Sequence, residues 1–179
     1  MHSNNSKDNT MGDPQERLHF KIGNILGLID GEGCYQLEHD GRGHYYPSLT
    51  ICNTDPLIID QLKQYLEELN IEYFVWSPKF YGKEKRPYLR LFVKGIRRMK
   101  VLLDLVTQYP HAKIERAKIL KLYCEYRLAI PKKDLYKNGN HDYTKENELR
   151  KRLSNLNAKY KGAKSSTTIR STAEADDIG

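Results

Sequence analysis

The spacing of apolar positions divides the chain into alternating helical and extended segments. Leu18, Ile22, Ile25, Leu26 and Ile29 recur three and four residues apart, which gathers them on one side of a helix. Asp13-Pro14-Gln15-Glu16 supplies the start: a capping acid, proline at the first helical position and a glutamate in capping-box register. The pattern predicts a helix over residues 14–30. After Gly33 the period drops to two, so residues 34–39 and 45–52 read as strands joined by Asp40-Gly41-Arg42-Gly43. Asn53-Thr54-Asp55-Pro56 opens a second helix carrying Ile59, Leu62, Leu66 and Leu69 at amphipathic spacing and ending near Asn70. A second strand pair, 73–77 and 88–93, flanks a loop with Lys79, Tyr81, Lys83, Lys85 and Arg86 against the single acid Glu84. Ile96, Met99, Leu103 and Val106 form another helical stripe, which Pro110 interrupts. Further helices are predicted over 112–129 and 144–160.

The resulting order is αββαββα plus C-terminal helices. This describes one α+β domain over residues 13–160, with residues 1–12 and 161–179 reading as disordered. No segment repeats. No run of about 18 apolar residues is present to span a membrane, and MHSNNSKDNT lacks the basic-then-apolar order of a signal peptide. The expected location is therefore intracellular, cytoplasmic or organellar rather than secreted. Cys34, Cys52 and Cys124 are few and far apart, read as reduced thiols, and have no spacing that builds a zinc site. The formal charge of +7 favours a polyanionic partner.

Gly23, Gly27 and Gly31 fall four residues apart and so share one face of the first helix. Each costs about 1 kcal/mol relative to alanine inside a helix, so three together need a packing reason. A second copy of the same helix could approach such a face closely, or another part of the same chain could cover it.

The stretch Ile25-Leu26-Gly27-Leu28-Ile29-Asp30-Gly31-Glu32-Gly33 resembles the nine-residue signature of the LAGLIDADG homing endonucleases. The likeness extends through the αββαββα order over about residues 16–160. It implies the homing-endonuclease fold, with a curved antiparallel sheet as a DNA-binding saddle. It also implies a homodimer that makes a double-strand break in a long, near-palindromic DNA target with Mg2+ or another divalent ion. Glu32 takes the position of the family's metal-binding acid, with Gly31 beside it, and Gly23, Gly27 and Gly31 become the dimer interface. Two such helices packed about a two-fold axis would bring the Glu32 carboxylates together, where divalent ions would be needed between them and a phosphate backbone. Asp30 has a mostly structural role in the family. Lys113 resembles the region of a basic active-site residue, but reads equally as a solvated lysine on a charged helix. Asp55 falls near a polar active-site position and is also an ordinary helix cap before Pro56. An RNA maturase or a non-cleaving nucleic-acid-binding protein on the same scaffold is the alternative.

A two-stranded ribbon fits the major groove of B-DNA. Alternation places Gln36, Glu38 and Asp40, then Tyr46, Ser48 and Thr50, on the open face of the first hairpin, with Arg42 in its turn. Ser77, Lys79, Lys83, Lys85, Arg86, Tyr88 and Arg90 are the candidates for base and phosphate contacts from the second hairpin. A one-residue slip in strand phase would exchange the two faces.

Overall fold

Asp13 begins the first helix by accepting the Gln15 backbone N–H at 3.0 Å, and Pro14 follows at the first helical position. In the computed structural model, which describes residues 13–41, 44–77, 88–131 and 142–165, this helix is α1 (Pro14–Glu32). It is followed by β1 (Gly33–His39), β2 (Tyr45–Asn53), α2 (Pro56–Glu68), β3 (Phe74–Trp76), β4 (Leu89–Lys94), α3 (Ile96–Val106), α4 (Ile114–Ala129) and α5 (Thr144–Ser165). The expected αββαββα order and its trailing helices are present. Two boundaries differ: α1 runs to Glu32 rather than Asp30, and α5 continues to Ser165, into the segment expected to be disordered.

The strands form one antiparallel sheet in the order β1-β2-β4-β3. One face carries Tyr35, Leu37, Leu49, Ile51, Leu91 and Val93, all buried. Against them pack Ile22, Ile25 and Ile29 of α1, Ile59, Leu62 and Leu66 of α2, and Met99, Leu102 and Leu103 of α3. Apart from Leu102, these helical residues are the ones whose spacing predicted the helices. The helices therefore cover one side of the sheet and leave the other open.

The last helix is held by polar contacts as well as by Leu149 and Leu153. Arg116 of α4 donates to Asn157 Oδ1 at 2.9 Å and to the Leu156 carbonyl at 2.8 Å, and the Asn157 amide donates to the Tyr35 carbonyl at 3.2 Å. Arg127 and Glu146 form an ion pair at 2.9 Å, with the Glu146 side chain fully enclosed. Cys34 is exposed, Cys52 partly buried and Cys124 buried, all as free thiols. Burial pushes the Cys124 thiol up to about 12. No described helix is long and apolar enough to cross a membrane.

Removing one member of an enclosed ion pair leaves the other charge uncompensated. Glu146→Ala is expected to lower stability by about 3 kcal/mol. Urea unfolding followed by circular dichroism measures this, and an unshifted midpoint would mean that Arg127 finds solvent when Glu146 is lost.

Candidate functional site

Glu32 is the last residue of α1 and Gly33 the first of β1, so the signature stretch ends where helix becomes strand without an intervening loop. Gly33 makes that turn possible. Its N–H donates to the Ile29 and Leu28 carbonyls, and a Cβ added there would lie 2.6 Å from the Ile29 oxygen and 2.7 Å from its Cα. Any other residue would have to push the strand off the helix end.

The same junction is tied to the start of α4 by two reciprocal contacts. Asp30 accepts the backbone N–H of Ala112 at 2.8 Å and that of Lys113 at 3.0 Å, placing a carboxylate at the positive end of α4. Lys113 sends its ammonium the other way, donating to the carbonyls of Ile29 at 2.8 Å and Gly33 at 2.6 Å. Its residue exposure is 5%. Lys113 is therefore not the solvated lysine of one sequence expectation, and its charge is held against the backbone at the end of α1. The two carbonyls bracket the last residues of α1, which continues past Asp30 to Glu32.

Glu32 is exposed, and no described side chain bonds to it. It lines an open cleft of about 180 Å³ together with Cys52, Asn53, Thr54 and Tyr88. Asp55 is not among the lining residues; it caps α2 by accepting the Leu57 N–H at 2.9 Å. Gly23, Gly27 and Gly31 are exposed along α1, and a Cβ at any of them would meet nothing within 4 Å. No other part of the described chain covers this face, which removes one of the two reasons considered for the glycines. Phe20, three residues before Gly23 on the same helix, is 64% exposed.

The cleft adjoins the open sheet face, whose phase on β1, β2 and β4 is the expected one. Gln36 lies opposite Ser48, Glu38 opposite Tyr46, and Cys52 opposite Arg90. Several of the expected reading residues are already engaged. Ser48 is fully buried and donates to Glu38 Oε1 at 3.0 Å, and Lys94 Nζ stands 3.5 Å from the same oxygen. Asp40 holds the hairpin turn by accepting the His44 N–H at 3.1 Å and the Tyr46 hydroxyl at 3.2 Å. Gln36 and Tyr46 are exposed and Thr50 is partly so. Ser77 falls one residue beyond β3, and the open-face positions of that strand are Phe74 and Trp76, opposite Phe92 and Arg90. Arg42, Lys79, Lys83, Lys85 and Arg86 lie outside the described residues.

Sequence reasoning missed Asn53, Thr54 and Cys52 in the cleft, and Phe92 and Lys94 on the face. Extending the twofold period one step past Thr50 and two past Arg90 would have found Cys52, Phe92 and Lys94. The loop positions Asn53 and Thr54 carried no such signal.

No family model matches the chain, and no curated protein matches it. Solved structures do. The homing endonuclease I-CvuI in complex with its target in the presence of calcium is 14% identical, with 79% of this chain and 84% of that chain covered and a TM-score of 0.54. The archaeal intron-encoded homing endonuclease I-Vdi141I, complexed with DNA, is 18% identical over 76% of this chain and 84% of that one, with a TM-score of 0.55. The homing endonuclease I-TnaI is 15% identical over 79% and 96%, with a TM-score of 0.52. The fold is that of the LAGLIDADG homing endonucleases.

Lys113→Met removes two charge-assisted hydrogen bonds to carbonyls at the α1–β1 junction, and is expected to cost about 2–3 kcal/mol. Gly33→Ala, which forces a backbone shift, is expected to cost about 1–3 kcal/mol. Both are read as shifts in the urea midpoint. A Lys113→Met protein as stable as the parent would remove the lysine from the junction.

Proposed function

We propose that the chain is a site-specific homing endonuclease that acts as a homodimer and makes a divalent-metal-dependent double-strand break in a long, near-palindromic duplex. The observation that carries this reading is Glu32. It is an exposed carboxylate with no bonding partner among the described residues, at the end of a glycine-faced helix and beside a cleft that opens onto an uncovered sheet.

The helix face is the proposed contact with a second copy. Three glycines cost about 3 kcal/mol of helix propensity in all, and the described residues supply nothing against them. A second α1 laid along this face would restore the missing packing and set two Glu32 side chains near one axis. Each subunit would then lay its sheet against one half-site, which requires a target with matching two-fold symmetry.

The residues fit a divalent ion such as Mg2+. Among the described residues no group of three or more His, Cys, Asp or Glu side chains could hold a metal. Magnesium, however, keeps several waters and needs only one or two carboxylates beside phosphate oxygens. One Glu32 per subunit, with Gly31 adjacent, provides this. When bound, the ion supplies Lewis-acid polarisation of the phosphodiester and lowers the pKa of a water for attack. Glu32 would hold the ion, and the Asn53 and Thr54 side of the cleft bounds the space beside it. Lys113 and Asp30 act at one remove, by fixing the backbone from which Glu32 projects. Binding to DNA is the reported state of I-Vdi141I and I-CvuI, whose fold this chain shares.

Glu32→Gln keeps the shape of the side chain and removes its charge. Losing about 4 kcal/mol of metal-dependent stabilisation corresponds to about a thousandfold slower single-turnover cleavage of a library-selected target, with binding in calcium retained. A fully active Glu32→Gln protein would overturn the assignment, and a parent protein that binds but never cuts would make the chain a non-cleaving binder. Gly27→Leu is expected to give a monomer by sedimentation at micromolar concentration and to lose DNA binding with the dimer. Cleavage of both strands by that monomer would exclude the proposed interface.

A further inference from the structure

The open face holds one cation that is arranged differently from the others. Arg90 of β4 packs against two aromatic rings, its guanidinium carbon 5.3 Å from the centre of Trp76 and 5.0 Å from that of Tyr88, and the rings themselves meet edge to face with centres 6.4 Å apart. Its Nη2 donates to the Tyr88 hydroxyl at 3.0 Å. No described carboxylate pairs with it, and its Nε is buried without a hydrogen-bond partner among the described residues. The lysine on the same strand differs in this respect: Lys94 is drawn to Glu38 at 3.5 Å. Most of the described lysines and arginines that form ion pairs do so with surface carboxylates, whereas Arg90 is packed on aromatic rings, partly enclosed and paired with no described carboxylate.

Position narrows what such a group can recognise. β4 is an interior strand, between β2 and β3, so Arg90, near the start of that strand, is not on a lateral edge of the sheet. It lies opposite Cys52 on one side and Trp76 on the other. Cys52 and Tyr88 also line the cleft beside Glu32, so the arginine borders the candidate active site. A ribbon lying in a major groove turns its middle to the base edges and its margins to the phosphates. The Tyr88 hydroxyl and the two adjoining rings restrict the orientation of the guanidinium, and a planar two-pronged donor matches the O6 and N7 acceptors of guanine. A phosphate would accept a flexible lysine as readily.

We infer that Arg90 reads a guanine in each half-site, near the point of cleavage, and that Trp76 and Tyr88 are the positioning residues that hold its plane. This rests on the DNA-cleaving reading of the fold and names part of the sequence it selects. The exposed Phe74, 52% accessible and next on the same strand face, continues the apolar surface outward from Trp76.

The test uses the full chain with calcium and a randomised duplex library, from which bound sequences are recovered. A guanine fixed at one position on each side of the centre is the expected outcome. Replacing that base by 7-deazaguanine removes the N7 acceptor and is expected to weaken binding about tenfold, whereas inosine, which keeps O6 and N7, leaves it unchanged. Arg90→Gln should lose the 7-deazaguanine penalty and move the preferred base towards adenine, which offers N6 and N7 to an amide. Trp76→Ala should weaken the guanine preference while leaving salt-dependent binding to unselected duplex intact. If Arg90→Gln selects the parent sequence and merely binds all duplexes more weakly, Arg90 contacts phosphate and the inference is overturned. It is equally overturned if 7-deazaguanine has no effect at any central guanine. Failure to select any duplex would defeat the endonuclease reading itself, and this inference with it.

Discussion

A helix can hand its chain directly to a strand only if the carbonyls at its end find donors and the first strand residue clears the last turn. Both conditions are met here by groups far apart in sequence. Lys113 supplies the donors to Ile29 and Gly33, and the absence of a Cβ at Gly33 supplies the clearance. An enclosed ammonium would cost several kcal/mol if left without partners, while the two carbonyls would each lose a charge-assisted bond. Each defect removes the other. Asp30 makes the same exchange in the opposite direction at the start of α4. The junction is thus two helix ends and two opposite charges, crossed, and each charge faces the dipole end that favours it.

The position of Glu32 and the phase of the sheet both follow from that junction. Because β1 begins at Gly33 with no loop, the twofold alternation that sends Tyr35 and Leu37 into the core sends Gln36 and Glu38 to the open face. A residue inserted between helix and strand would invert this face and move the carboxylate away from the cleft. The element order and the phase of three strands were legible in the sequence because their apolar positions are buried on one side. β3 was not. Phe74, Val75 and Trp76 are all exposed, so in this three-residue edge strand alternation carried no information about which side faces the helices. The signature stretch marked Glu32, but the role of Lys113 depended on a contact more than eighty residues away in the chain, which no local pattern encodes. Ser48 looked like a polar reading residue by parity, and only the three-dimensional neighbourhood of Glu38 shows its hydroxyl enclosed.

Charge on the open side is distributed in a way that bears on the proposed chemistry. Glu38 faces Lys94, and Asp40 is bound into its own hairpin, so these acids do not confront a phosphate backbone unaccompanied. The Glu38–Lys94 pair is solvent-exposed and adds little stability; its consequence is local neutrality. Glu32 is the acid beside the cleft without such a partner among the described residues. In a two-fold assembly there would be two. Carboxylates brought within about 6 Å of one another repel by about 3 kcal/mol at an effective dielectric constant of about 20, roughly the scale of the propensity given up by the three glycines. Close helix packing and paired acids therefore oppose each other in the free protein, and a divalent cation between the carboxylates would relieve the opposition. On this reading the metal site and the dimer interface are thermodynamically linked: whatever favours cation binding at Glu32 also favours the pairing of the two α1 helices.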